Sequence, residues 1–174
     1  SRFAKWRVAY PALLGVIAVV ALVASLIKLN ANGLYKDALQ QAAQQKPYED
    51  IVKPLNEALE LQPYHPEYAA SKLALLNAAF AQTKDPKFYD EAVRLIEQVQ
   101  QYEPHHRLVF EEAYALYIQN GELEKALALI EKGLTMYPWE ITMYDRAASL
   151  YLELGNRARA QQNRDATDRY WDRV

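Results

Sequence analysis

The chain has 174 residues, with 20 Lys+Arg against 22 Asp+Glu, no Cys, 5 Gly and 8 Pro. An apolar share of 51% excludes a wholly disordered chain. The lack of cysteine excludes a disulfide framework, a thiolate zinc site and a cysteine nucleophile. A net charge of −2 argues against a general nucleic-acid binder.

Taken in chain order, the first feature is apolar. Residues 8–27 read VAYPALLGVIAVVALVASLI, 20 positions without a charge. As a helix this run would be about 30 Å long, the thickness of a bilayer's hydrocarbon core. Trp6 and Tyr10 stand at its front edge, where amphipathic rings prefer the headgroup zone, and Pro11 falls in the first turn. A buried core helix would show a polar face, and this stretch has none. Arg2, Lys5 and Arg7 precede it and only Lys28 follows closely. The positive-inside bias therefore puts the N-terminal end in the cytoplasm and everything after residue 30 outside it. Ala21, Ala24 and Ser25 offer the small residues of a signal-peptide cleavage site. The apolar run is, however, longer than the usual core of about 7–15 residues. Both readings export the remainder, which holds 16 Lys+Arg against 22 Asp+Glu and so carries −6.

The remainder repeats. Ala92, Ala126 and Ala160 are 34 apart, as are Ile96, Ile130 and Arg164, and Val99, Gly133 and Thr167. Pro104 and Pro138 keep the interval. Phe110 matches Tyr144, Ala113 matches Ala147, Tyr117 matches Tyr151 and Gly121 matches Gly155. Each unit reads as two helices. In 109–120, Val109, Phe110, Ala113, Tyr114 and Tyr117 form one helical face. Asn120 and Gly121 tolerate the left-handed backbone that ends a helix. A second periodic run, 123–136, stops before Pro138, and Gly133 supplies a small residue where two helices cross closely.

These residues resemble the tetratricopeptide repeat (TPR) family. The fullest unit carries Phe110, Ala113, Tyr114, Tyr117, Gly121, Ala126, Ile130, Gly133 and Pro138. The next carries Tyr144, Ala147, Ala148, Tyr151, Gly155 and Ala160. An earlier unit has Tyr35, Ala38, Ala42, Ile51, Leu55, Ala58 and Pro63. The fold expected is all-α: a TPR-like solenoid of helical hairpins behind one transmembrane helix. Residues 1–31 would be the anchor and 32–174 the solenoid, in units of about 32–65, 66–106, 107–140 and 141–174.

Three departures bear on that expectation. Pro63 and Pro104 are 41 apart, seven more than the period, so the second unit has either longer helices or a loop at 83–88. Pro54 should kink the second helix of its unit or delay its start. The stretch 157–173 is dense in Arg and Asp, which fits a solvated end cap.

The residues suggest recognition rather than catalysis. His65, His105 and His106 lie in links beside prolines, no established catalytic motif appears, and Glu111–Glu112 reads as a solvated pair. No metal, cofactor or catalytic residue is expected. Tyr35, Tyr114, Tyr117, Tyr144 and Tyr151 should pack between helices. Tyr64, Tyr68, Tyr102, Tyr137 and Trp139 should cover the helix junctions. The first helix of each hairpin should line an inner face. Its residues off the packing stripe include Glu67, Ala70, Asn77, Leu108, Glu111, Ala115, Gln119, Thr142, Asp145, Ser149 and Leu152. This polar-to-acidic set suits an extended peptide.

The expected activity is that of a membrane-anchored, extracytoplasmic module binding a protein or peptide, with contact to lipid through residues 8–27 and none to nucleic acid. Two other readings follow. One membrane helix, a first degenerate unit and the phrase ALELQPYHPEY at 58–68 also resemble the C-terminal TPR region of O-antigen ligase/polymerase-like bacterial membrane proteins. That resemblance implies that glycan-joining chemistry would reside in preceding membrane helices. The third reading is a self-associating adaptor, a homo-oligomer whose apolar segment is removed or covered.

Overall fold

The computed structural model describes the backbone of residues 2–103 and 106–174, and side chains within these from Leu14 onward. Among the described residues there are eight α-helices and no strand. They are α1 (Arg2–Ala43), α2 (Tyr48–Leu61), α3 (Pro66–Thr83), α4 (Pro86–Tyr102), α5 (Arg107–Gln119), α6 (Leu123–Met136), α7 (Ile141–Ala160) and α8 (Arg164–Trp171). The chain divides into two compact units, one ending at Tyr68 and one running from Ala69 to Val174.

In the first unit, α1 is one unbroken helix of 42 residues, about 60 Å long. Asn32–Gly33 is the same dipeptide that turns the chain after α5, but here Gly33 keeps helical backbone, so the apolar run and the expected first repeat helix are continuous. Its two halves differ in what they bury. From Leu14 to Leu29 the large apolar side chains are exposed, around the whole circumference. The helix over Leu14–Ala43 is long and apolar enough to cross a membrane. From Ala31 onward, Ala31, Leu34, Tyr35 and Ala38 form an i, i+3, i+4, i+7 stripe that packs with Leu55, Ala58, Leu59, Leu61 and Tyr68. Tyr68 is sandwiched between rings: its centroid lies 4.7 Å from Tyr35 and 3.8 Å from His65, the latter pair stacked.

Pro54 does not delay α2, which starts at Tyr48 and runs through it. The only carbonyl that the proline deprives of a partner is that of Asp50, an exposed residue, so water can satisfy it. The ring itself is buried.

In the second unit the seven extra residues of the sequence are helical. Helices α3 and α4 have 18 and 17 residues, against 13 and 14 for α5 and α6, and only Lys84 and Asp85 separate them. Asp85 caps α4 by accepting from the Lys87 amide, with Pro86 as the first helical residue. The pair α5–α6 falls where the sequence predicts, and its turn is built as expected. Gly121 has φ +72°, and the Glu122 amide donates to the Tyr117 carbonyl five residues back.

The last pair departs from the period. Gly155, aligned with Gly121, is not a turn but a buried position inside α7, and the chain turns at Gln162 instead. A Cβ on Gly155 would come within 2.1 Å of the Trp171 ring. The glycine thus serves the docking of α8 onto α7. Ala92 and Ala126 are fully buried in α4 and α6, while their counterpart Ala160 is the exposed last residue of α7.

Several side-chain bonds between helices span close to the repeat length, while Tyr151 to Glu131 and Lys72 to Glu91 span 20 and 19 residues. Asn77 of α3 donates to Glu112 of α5, 35 residues on, and Arg146 of α7 donates to Glu111 of α5, again 35 apart. Tyr89 of α4 donates to Glu122, the residue before α6, 33 positions on. Lys125 and Arg157 add bonds of the same kind, to Tyr89 and to the Gly121 carbonyl, each 36 apart.

Two substitutions test this account of turns and crossings. Gly121→Ala has open space for its methyl group but a left-handed backbone to maintain, and should cost about 1 kcal/mol in urea denaturation. Gln162→Gly, at φ 58°, should move stability the other way. Ala126→Leu, at a fully buried crossing, should cost about 1–3 kcal/mol by the same measurement.

Candidate functional site

The second unit contains a cleft of about 260 Å³ where the start of α5, the end of α6 and the start of α7 meet. Phe110, Met136, Tyr137 and Met143 give it apolar walls. Arg107, Glu111, Glu140 and Thr142 provide the polar ones. The cleft exists because α6 can approach closely. A Cβ on Gly133 would lie 2.9 Å from the Met143 sulfur and 3.1 Å from the Phe110 ring, so a methyl group there would make both side chains shift.

Three of the four polar wall residues are held. Glu111 accepts from Arg146 at 2.9 Å, and the Arg146 guanidinium lies over the Tyr114 ring, 4.7 Å from its centroid. Glu140 precedes α7 and accepts from the Thr142 hydroxyl at 2.9 Å. Arg107 opens α5, and no carboxylate among the described residues forms an ion pair with it. The cleft thus presents apolar walls between a paired acid, a second acid and an uncommitted guanidinium. A cavity of this volume lies below the usual range of about 300–1,000 Å³ for small-molecule sites. It matches one large apolar side chain flanked by polar groups.

Of the expected groove residues, the structure brings only Glu111 and Thr142 to this cleft. Asn77 is 4% exposed and its amide donates to the Glu112 carbonyl and carboxylate, so it ties α3 to α5 and offers no donor to a partner. Gln119, Asp145 and Leu152 are exposed, and the Ser149 hydroxyl is spent on the Asp145 carbonyl. Ala70 is buried, Ala115 half-buried and Leu108 exposed. Glu67 is exposed and belongs to the first unit. Sequence reasoning missed Arg107, Phe110, Met136, Tyr137, Glu140 and Met143 as a group. One signal for them was available: both methionines of the chain flank Pro138 within eight positions. Unbranched, polarisable Met side chains recur at adaptable binding surfaces.

The aromatic expectations hold in part. Tyr68 is buried and Tyr35, Tyr114, Tyr117 and Tyr151 are half-buried between helices. Tyr144 is exposed, its hydroxyl donating to the Pro138 carbonyl at 3.0 Å. Tyr64, Tyr102 and Trp139 are exposed. His65 and His106 lie in links as the sequence implied, and His105 falls outside the described residues. Among the described residues no group of three His, Cys, Asp or Glu side chains could hold a metal ion. No family model matches the chain, and neither a curated protein nor a solved structure matches it.

Two acids of the second unit, outside the cleft lining, differ electrostatically. Burial pushes the Glu112 carboxyl above its ordinary range; the Asn77 amide opposes this and the neighbouring Glu111 charge adds to it. Burial acts the same way on Glu122, but hydrogen bonds from Tyr89 and Lys125 outweigh it and leave that carboxyl below its ordinary range. A folded-state pKa raised above the unfolded value destabilises the fold wherever the group is ionised, and the penalty disappears as pH falls through the folded value. Glu112→Gln keeps an acceptor for Asn77. It should therefore be more stable than the parent at pH 7, with the difference closing as pH falls to the ordinary carboxylate range. Denaturation midpoints measured across that window check the sign.

Proposed function

We propose that this chain is a membrane-tethered, TPR-like helical solenoid that binds a protein partner, with the cleft of α5, α6 and α7 receiving an apolar side chain of that partner. The observation that carries the reading is the cleft itself, in which both methionines and Phe110 line a space of one side chain's size beside Arg107. Bonds joining residues 33 to 36 apart support the stacking of hairpins at the repeat period. The exposed apolar half of α1 supports the tether. With three basic residues before the span, the solenoid lies on the extracytoplasmic side. Recognition here combines an apolar anchor with polar groups that fix its orientation, the usual division of labour at an interface.

A photoreactive amino acid at Thr142, in the full chain and in native membranes, should give a discrete adduct, whereas the same residue at Gln161 should not. Met143→Lys should reduce the Thr142 adduct about tenfold, since burying one large apolar side chain contributes about 1.5–3 kcal/mol. An adduct pattern the same at both positions, in protein whose melting is unchanged, rejects the cleft.

A second reading is favoured by the continuity of α1, which carries the span directly into the helix that packs on α2. Such a fused helix suits an accessory region of a larger O-antigen ligase/polymerase-like membrane enzyme. Coding sequence upstream of Ser1 that specifies several further hydrophobic spans would support this reading, and a start codon within a few residues would reject it.

A further inference from the structure

We propose that the connector at residues 137–141 is a second lipid contact, inserting Trp139 and Ile141 into the headgroup zone of a zwitterionic bilayer. The proposal rests on reading α1 as a bilayer span. Trp139 and Ile141 are 72% and 73% exposed, among the highest values for large apolar residues in the described chain. Trp139 stands on the turn after α6, and Ile141, two positions on, is the first residue of α7.

The patch is a cluster rather than two isolated side chains. The Tyr137 ring meets Trp139 edge-on at 6.0 Å, and Tyr144, half-exposed, is bonded to the Pro138 carbonyl. Two tyrosines, a tryptophan and an isoleucine therefore share one corner of the second unit. Exposed apolar clusters of this kind mark interaction sites.

Exposure and charge select the occupant. Neither Trp139 nor Ile141 lines the adjacent cleft, and both lie largely open to solvent. Amphipathic Trp and Tyr rings favour the membrane–water interface, where one end of the ring is wet. The single charge on the connector is Glu140, engaged with the Thr142 hydroxyl, and no basic cluster is present to demand anionic lipid. The span in the same chain supplies the third argument. A segment tethered to a bilayer meets lipid at high effective concentration, so a small apolar patch suffices for contact that it could not sustain in a free protein.

The absence of cysteine makes the test direct. The full chain is placed in phosphatidylcholine vesicles, with single-cysteine variants Val20→Cys, Ile141→Cys and Gln161→Cys carrying an environment-sensitive dye. Quenching by lipids spin-labelled near the headgroup and along the acyl chain is then measured. The expected result is acyl-chain quenching at position 20, and headgroup quenching at position 141 about threefold or more above that at 161. Adding Trp139→Glu, a change at an exposed position, should return the position 141 signal to that of 161. Strong quenching at 20 with none at 141 overturns the proposal while keeping the span, whether the dye at 141 is wet or shielded by a protein or a second copy. A position 141 signal unmoved by Trp139→Glu also overturns it, since the dye alone would then be the anchor. Loss of quenching at 20 overturns the span reading and the proposal together.

Discussion

Close approach of helices at small residues is the constraint on which the second unit depends. Ala92, Ala113 and Ala126 are fully buried, and Gly133 lies under Met143 and Phe110 with no room for a methyl group. Larger residues at these points would hold the helices apart and forfeit the dispersion contacts of Leu116, Ile96 and Ile130, all but absent from the surface. The same closeness at Gly133 leaves Met136, Met143 and Phe110 around a cleft instead of a filled core. Packing and cleft thus have one cause.

Polar side chains act on this frame as ties between successive helices. Glu111 and Glu112 are adjacent on α5, yet one reaches Arg146 of α7 and the other Asn77 of α3, because neighbours on a helix point about 100° apart. Their partners lie 35 residues away in opposite directions along the chain. Tyr89, Glu122 and Lys125 form a comparable tie between α4 and the start of α6. Such bonds add modest net stability each, but an unsatisfied partner would be expensive, so they favour one register over its neighbours.

The first unit depends on a different division. A single helix carries a fully apolar segment and then an amphipathic one, and the change of pattern at Ala31 marks where its environment changes. From Leu14 to that point the large apolar side chains are exposed; after it, a stripe of Ala31, Leu34, Tyr35 and Ala38 seals α2. Helical hydrogen bonding satisfies the backbone in both settings, which is why the helix can continue across the change.

The linear sequence by itself determined the helical class, an N-terminal helix long and apolar enough to cross a membrane, the α5–α6 hairpin and the small residues at the crossings. These are properties of local pattern: period, charge, run length and turn chemistry. Only the tertiary structure decided that the extra residues between Pro63 and Pro104 lengthen α3 and α4, and that Gly155 receives Trp171 instead of ending a helix. It also decided that Asn77 is consumed by Glu112 and that Met136 and Met143 face one space. A glycine that permits a left-handed turn and a glycine that admits an indole ring look identical in one dimension. What separates them is the side chain across the gap, which only packing brings there.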